Sequence, residues 1–567
     1  MVAQPTDALR RLEDDILYEI FQMLRPQGRL RPLSLTCRWI RFACSSVLFR
    51  ECSVLSWTVD SSPEPRFIPR ALWPYVWPEL PWVIEDARLP RNPLRGRQSR
   101  NGRRDASVKV GETIREALHS MPLLCTVSIA ISCGPSATGK PGVSPYVLEA
   151  ILSAPQLLHF GMNGPLWHPA DTIPPEVTFA PLTRLSTFNY RLNLHRSPLR
   201  VTRAEQEEIT LVLDRTHGSL EYLVLPSECT PFNVMGAWQW PTLRTLRIRG
   251  ERVTSSPSLI HILSKMPRLR HVYLMLAEPQ SAELPPVWPP SLSLQCEWRE
   301  LRSLAVAHPH PQDDLYSNLP NTLLDLALRC WPRYYKHHTN FKEILPDAGA
   351  RWTDPLLPSS EMLSILKKVH APHLTYLELE FRADSNDSQL FQHIGSAFPA
   401  LVGMVIHRYR AEGEGTAPLV CLHGLLLSIH NVLVCSRSHP IQVNIATHLS
   451  TLEHLEVLML HLDFADLPEV DIYKASSWKD PFMRPVYQKQ LADNDVTFKH
   501  AANLFASVLG PALLYVCFLR PLTHARRRQW VPFRVVRSGG DGPVAEKCHI
   551  RDLPVDSFQL PHGHRFT

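Results

Sequence analysis

PHLTYLEL, residues 372–379, places Leu374 two residues after a proline and follows it with apolar side chains at Leu377 and Leu379. Those two leucines are two positions apart, so in an extended chain both point to one face. The pattern Leu-x-x-Φ-x-Φ, with Φ apolar, recurs with first leucines at Leu124, Leu157, Leu185, Leu220, Leu243, Leu269, Leu301, Leu323, Leu374, Leu401, Leu455 and Leu513. LEYLVL (220–225), LRTLRI (243–248), LRSLAV (301–306), LLDLAL (323–328) and LEVLML (455–460) are the other clear copies. Seven copies carry a proline two residues before the leucine: Pro122, Pro155, Pro241, Pro267, Pro372, Pro399 and Pro511. The proline is read as ending the preceding segment and directing the chain into an extended conformation.

Helical patterns lie upstream of several copies. Ser144-Pro145 precedes YVLEAILSA, with serine as N-cap and proline as first helical residue. Ser256-Pro257 stands in the same relation to SLIHILSKM, and Ser359 precedes SEMLSILKKVH, where Met362, Leu366 and Val369 share a helical face. Helix, proline, strand is therefore the repeating unit. Such a unit cannot bury its own apolar face, but stacked copies can, with the strands forming a parallel sheet.

This arrangement resembles a leucine-rich-repeat array. The resemblance implies a solenoid over residues 111–520 with parallel strands on the concave face. The departures from the family pattern are definite. First leucines are spaced by 22 to 58 residues, against roughly 20–29 in regular repeats. The asparagine or cysteine expected after each strand is mostly missing, with Cys229 and Cys330 the partial exceptions. Alternation also predicts which side chains line the inner curve as a target-binding face: Tyr222, Arg247, Arg249, His271, Tyr273, Tyr376, Glu378, Glu380 and His461. Tyrosine and arginine are enriched at binding hot spots.

At the N-terminus a different period takes over. Leu12, Ile16, Ile20 and Leu24 recur every four residues, with Leu17 and Phe21 beside them, so 12–24 reads as an amphipathic helix. Asp14 and Asp15 fall in its first turn, and Pro26 and Gly28 end it. A second helical series follows at Leu30, Leu33, Cys37, Ile40, Cys44 and Val47, widened by Trp39 and Phe42. So short a segment cannot bury this much apolar surface within itself, so a partner or the next domain is expected to cover the rest.

LEDDILYEIFQML (12–24) and LRPLSLTCRWIRFACSSVLFREC (30–52) resemble an F-box over residues 10–54. The matching positions are Leu12, Ile16, Leu17, Ile20, Phe21, Leu24, Leu30, Leu33, Cys37, Arg38 and Trp39. Glu13 departs from the pattern, standing where the family usually has proline. The resemblance implies a three-helix module that docks on a Skp-type adaptor and, through it, a cullin complex, with Leu12, Ile16, Ile20, Phe21, Leu24, Leu33 and Trp39 as adaptor-binding residues. The fold class expected for the whole chain is α/β: an N-terminal helical module followed by an irregular solenoid. Residues 1–9 read as a tail, 55–110 as a linker or insertion, and 521–567 as a final strand, from WVPFRVVR, and a tail.

Composition is consistent with these expectations. The chain has 567 residues, 44% of them hydrophobic, and a formal net charge of +6. That charge is small for the length and does not by itself indicate nucleic acid. The basic run Arg91, Arg95, Arg97, Arg100, Arg103, Arg104 reads as a disordered loop. The twelve cysteines show no CxxC pair or zinc spacing, so reduced thiols in the cytoplasm or nucleus are expected. No signal peptide is recognised, and the most apolar stretches, 419–435 and 505–519, are too short or too polar to span a membrane.

Motifs of chemistry are few. Gly134, Gly139 and Lys140 satisfy GxxxxGK, but Pro141 occupies the position of the magnesium-binding hydroxyl and removes a backbone N–H from the phosphate cradle. The histidine pairs 308/310, 337/338 and 562/564 lack converging ligands. No GxSxG or HExxH is present. The expectation is a non-catalytic subunit without cofactor or metal, recruiting an unknown target protein to a ubiquitin ligase. The alternative is a repeat scaffold without ligase function.

Overall fold

In the computed structural model the described residues are 14–24, 33, 40, 51–58, 124–133, 143–163, 176–179, 184–191, 203–252, 258–279, 286–292, 298–330, 352–353, 355–411, 440–462, 484–520, 530–538, 542–549 and 552–553, with isolated residues in 108–119 and at 173. They belong to two compact units, Met1–Leu243 and Arg244–Thr567.

The first unit carries helix α1 (Asp14–Leu24) and strands β1 (Glu51–Thr58), β2 (Thr126–Cys133), β3 (His159–Asn163), β4 (Thr187–Arg191) and β5 (Tyr222–Pro226). Each strand runs parallel to the next in chain order. Helix α2 (Pro145–Leu152) lies between β2 and β3, α3 (Arg203–Thr216) between β4 and β5, and α4 (Phe232–Met235) follows β5. Ser144 caps α2 as expected, its side chain accepting from the Val147 N–H at 3.4 Å. β1 straddles the boundary placed at 54/55 and extends into the expected linker.

The second unit contains β6 (Thr245–Glu251), α5 (Leu259–Leu263), β7 (His271–Pro279), β8 (Ser303–Ala307), β9 (Asp325–Arg329), β10 (Trp352–Thr353), α6 (Ser359–Leu366), β11 (Tyr376–Arg382), α7 (Asp387–Ala397), β12 (Gly403–Tyr409), α8 (Pro440–Leu449), β13 (Val457–His461), α9 (Arg484–Val508), β14 (Tyr515–Leu519), β15 (Trp530–Ser538) and β16 (Gly542–Lys547). β6 to β9 and β11 to β14 are parallel neighbours in sequence order, with β9 beside β11. β15 and β16 turn antiparallel, and β10 pairs antiparallel with β7. The fold is thus mixed α/β with mostly parallel, open sheets. Only one strand was expected after residue 521; β16 is a second, and its GPVAEK lacks the leucine pattern.

The twelve first leucines predict the strands. Each lies two residues before one of β2–β9 or β11–β14, and each is at most 3% exposed. The role of the proline is sharper than the sequence suggests. Leu157, Leu269, Leu374, Leu401 and Leu513 each donate their N–H to the carbonyl three residues back, at 3.1–3.3 Å. Pro155, Pro267, Pro372, Pro399 and Pro511 therefore sit second in a β-turn, where a fixed φ near −65° fits. The proline bends the chain at a tight corner, and the extended segment begins only after the leucine.

Beyond each corner a single carbonyl receives two N–H groups from the following repeat. Val402 and Gly403 both donate to the Thr375 carbonyl at 2.9 and 3.0 Å, and Glu456 and Val457 both donate to Val402 at 2.9 and 3.1 Å. The same pairing recurs at Cys125, Leu158, Ser186, Arg244, Arg270, Arg302, Leu324 and Glu456. It fixes register before the strand ladders begin.

Helices pack on one face of the second unit's sheet. Phe381 of β11 meets Phe391 of α7 at 6.2 Å between ring centroids, and Phe498 of α9 stacks on Phe518 of β14 at 5.2 Å. Met362, Leu366 and Val369 are buried as the helical spacing predicts. Ser359 is the first residue of α6 rather than its cap. Asp384 closes that end, accepting from the Ser359 and Ser360 hydroxyls at 2.5 and 2.6 Å and from the Ser360 N–H at 3.1 Å. For α5 the N-cap is Ser258; Ser256-Pro257 lies outside the described residues, as do the GxxxxGK loop, the basic run and two of the histidine pairs.

The last strand is blunted. Antiparallel register aims the N–H groups of 543, 545 and 547 away from β15. Residue 543 is proline, and the Ala545 N–H is taken by Asn503 Oδ1 of α9 at 2.7 Å. Among the described residues no helix is long and apolar enough to cross a membrane.

Gly395 shows how closely α7 and α8 approach. A Cβ there would lie 2.5 Å from Thr451 Oγ1 and 2.6 Å from the His448 carbonyl oxygen. Helix propensity alone would make Gly395→Ala stabilising by about 1 kcal/mol. Overpacking should reverse the sign, with a loss of about 1–3 kcal/mol in urea denaturation. A gain in stability would show that the two helices are not in contact here.

Candidate functional site

On the sheet face opposite the helices, β-alternation brings polar side chains into rows. Register aligns His271, Ser303, Asp325, Tyr376 and Gly403 in one row, Tyr273, Ala305, Ala327, Glu378 and Val405 in the next, and Arg329 beside Glu380, His407 and His461 in a third.

The densest part lies on β9, β11, β12 and β13. Arg329 and Glu378 form an ion pair with side chains 7% and 2% exposed. Tyr376 donates its phenol to Glu378 Oε2 at 3.1 Å, and burial holds the phenol well above its ordinary pKa, so it stays a donor. Glu380 accepts from the Cys330 N–H at 2.8 Å and from the Tyr409 phenol at 3.0 Å. His407 is 1% exposed, and its ring centroid lies 5.9 Å from those of His461 and Trp530. Its Nε2 stands 3.8 Å from Glu378 Oε1, beyond hydrogen-bond reach. Gly403 makes room for this arrangement, because a Cβ there would sit 3.2 Å from the Tyr376 ring.

A second polar row crosses β7, β8 and β9. The Ser303 hydroxyl donates to Asp325 Oδ2 at 2.5 Å and lies 3.1 Å from His271 Nδ1. These are the residue types of a hydrolytic triad in a different order. In a triad the histidine stands between serine and carboxylate, whereas here the serine stands between the other two. Its proton already points to Asp325, so His271 cannot take it. Burial raises the Asp325 carboxyl pKa, and burial followed by Arg247, Arg302 and Arg270 lowers that of His271. The Arg247 guanidinium lies 4.4 Å from the Tyr273 ring centroid, and burial pushes the Tyr273 phenol up to about 12. Among the described residues no three His, Cys, Asp or Glu side chains converge to hold a metal ion.

The structure therefore revises the expected target face. Tyr222, Arg247, Arg249, His271 and His461 are partly accessible, but Tyr273, Tyr376, Glu378 and Glu380 are buried, and so could not serve as surface contacts. The alternation was right about the face and silent about what covers it. Arg329, His407 and Tyr409 were missed, although the same period-two count from Leu323 and Leu401 reaches all three.

For the N-terminal set, helix α1 divides its apolar residues. Leu17 and Phe21 are 4% and 3% exposed, while Ile16 is 47% and Met23 65% exposed. Ile20, Leu24 and Leu33 are half-buried. Phe21, expected to bind the adaptor, is core within this chain. Leu12 and Trp39 lie outside the described residues. Neither a protein-family model nor a curated protein matches this chain.

Two outcomes test the polar rows. Arg329→Met strands the Glu378 charge in the interior and should lower stability by about 3–5 kcal/mol, whereas changing both residues to Met should cost much less. A double-mutant cycle by urea denaturation reads the difference. The lowered pKa of His271 means that the unfolded chain takes up its proton first as pH falls below about 6.5. His271 should thus contribute to a loss of stability between neutral and mildly acidic pH. The drop over that interval should be smaller in His271→Gln, and an identical drop would mean that this imidazole is not responsible.

Proposed function

We propose that this chain recruits a target protein to a Skp–cullin–F-box ubiquitin ligase, and that its parallel strands are the rungs of an irregular leucine-rich-repeat solenoid. The observation that carries the reading is the division of α1. Leu17 and Phe21 anchor the helix inward, and Ile16 and Met23 stay in solvent, where large apolar side chains are costly unless a partner covers them. That is the division an adaptor-docking helix needs. The F-box-like run over residues 10–54 adds the sequence support, and the regular spacing of leucine and strand supports the solenoid.

On this reading the chain performs no bond chemistry. It holds a target near a ubiquitin-loaded enzyme and raises the effective concentration of the target's lysines. The network around Glu378 then acts as a fixed interior to the sheet, and targets meet the accessible residues of the same face, Arg247, Arg249 and His271 among them.

The test is co-expression with a Skp-type adaptor and a cullin. Ile16→Asp, at an exposed position, should abolish adaptor capture without unfolding the chain, while Val496→Asp, which is 55% exposed on α9, should leave it intact. Capture that survives Ile16→Asp would refute the docking helix. Adaptor binding without cullin would favour the scaffold alternative.

A further inference from the structure

The residues immediately before β6, β7 and β8 are Arg244, Arg270 and Arg302. Backbone hydrogen bonds fix them on successive rungs. The Arg270 N–H donates to the Arg244 carbonyl at 2.7 Å, and the Arg302 N–H donates to the Arg270 carbonyl at 2.8 Å. Neighbouring strands are about 4.8 Å apart, so the outer two backbones are about 10 Å apart. The corners ahead of β7 and β8 add Arg268 and Arg299 beside this row.

Four of these arginines, Arg244, Arg268, Arg299 and Arg302, are exposed. Within the cluster Glu300 accepts from Arg270 Nε at 2.8 Å and Nη2 at 2.7 Å. Arg268 and Arg302 pair with no acid among the described residues. The positive field reaches the neighbours. The Arg270 hydrogen bond and the charges of Arg270, Arg268 and Arg244 hold the Glu300 carboxyl below its ordinary range, and Arg302 and Arg270 help to depress His271.

Stacked like charges repel one another unless an anion lies between them. Glu300 shows what such an anion looks like: a carboxylate held in a guanidinium fork. We propose that this edge of the second unit docks a carboxylate-rich segment of a protein partner. An extended peptide presents same-side groups about 6.6–7 Å apart, so two carboxylates fall within the length of the row. A nucleic-acid backbone fits less well, since the row is short. The proposal rests on the recruitment reading only in that it names the chemistry of what the strand array would hold. Adaptor capture tests the other end of the chain, and either test can fail alone.

The experiment uses the full-length chain and a short fluorescent peptide of alternating Glu and Ser, followed by anisotropy. Binding should weaken as salt is raised and fall by at least about fivefold in Arg268→Gln/Arg302→Gln. Arg268→Lys/Arg302→Lys should restore part of the loss, and a Gln-for-Glu peptide should not bind. Both positions are exposed, and an unchanged thermal unfolding curve confirms that the variants fold. Equal binding by the Gln variant, or no binding by the native chain, would overturn the proposal. So would displacement of the peptide at lower concentration by an oligonucleotide of equal charge, which would assign the row to nucleic acid.

Discussion

One carbonyl group holds each step of the parallel sheets in place. The residue just ahead of a strand accepts two N–H groups from the corresponding residues of the next repeat, and its neighbour does the same one step further on. A strand pair that slipped by one residue would break both bonds at every step and turn all of its apolar side chains to the wrong face. The leucine before each of β2–β9 and β11–β14 is buried, and where a proline stands two residues before it that proline shapes the corner that delivers it. Spacing between repeats can therefore vary widely while strand geometry does not. The connections differ in length, but the buried leucine and the shared carbonyl recur.

Fixed register has a consequence for charge. Once β9, β11 and β12 are aligned, Arg329, Glu378, Glu380 and His407 have little choice of neighbour. Burying the two carboxylates relies on the donors that converge on them: Arg329 and Tyr376 on Glu378, and Cys330 and Tyr409 on Glu380. A buried ion pair of this kind adds little net stability over an apolar pair of the same shape, but removing either partner alone leaves a buried charge uncompensated. The network ties together β9, β11 and β12.

The strands were legible because their signal is local. A leucine and two apolar residues at fixed offsets report on a few angstroms of backbone, and this was enough to locate β2–β9 and β11–β14. β1 was missed because Phe49 stands where the pattern requires leucine, ahead of Cys52 and Val54; β10 and β16 lack the spacing altogether, and their pairing is decided by strands far away in the sequence. The polar face was half legible. Period two assigns Tyr376, Glu378 and His461 to it, yet burial depends on what packs above, and no local pattern encodes that. The same limit explains Phe21. Every apolar residue of α1 repeats with the same helical period, so only tertiary packing could separate Phe21, which turns inward, from Ile16, which does not.

A sheet assembled by repetition has no natural length, since each new strand leaves an edge as receptive as the one before. Pro543 interrupts that propagation by having no hydrogen to offer, and Asn503 occupies the next donor along. Two side chains thus turn an edge that could recruit another polypeptide into an inert margin. A chain so rich in leucine strands can then be made at high concentration without this side of the sheet seeding fibres.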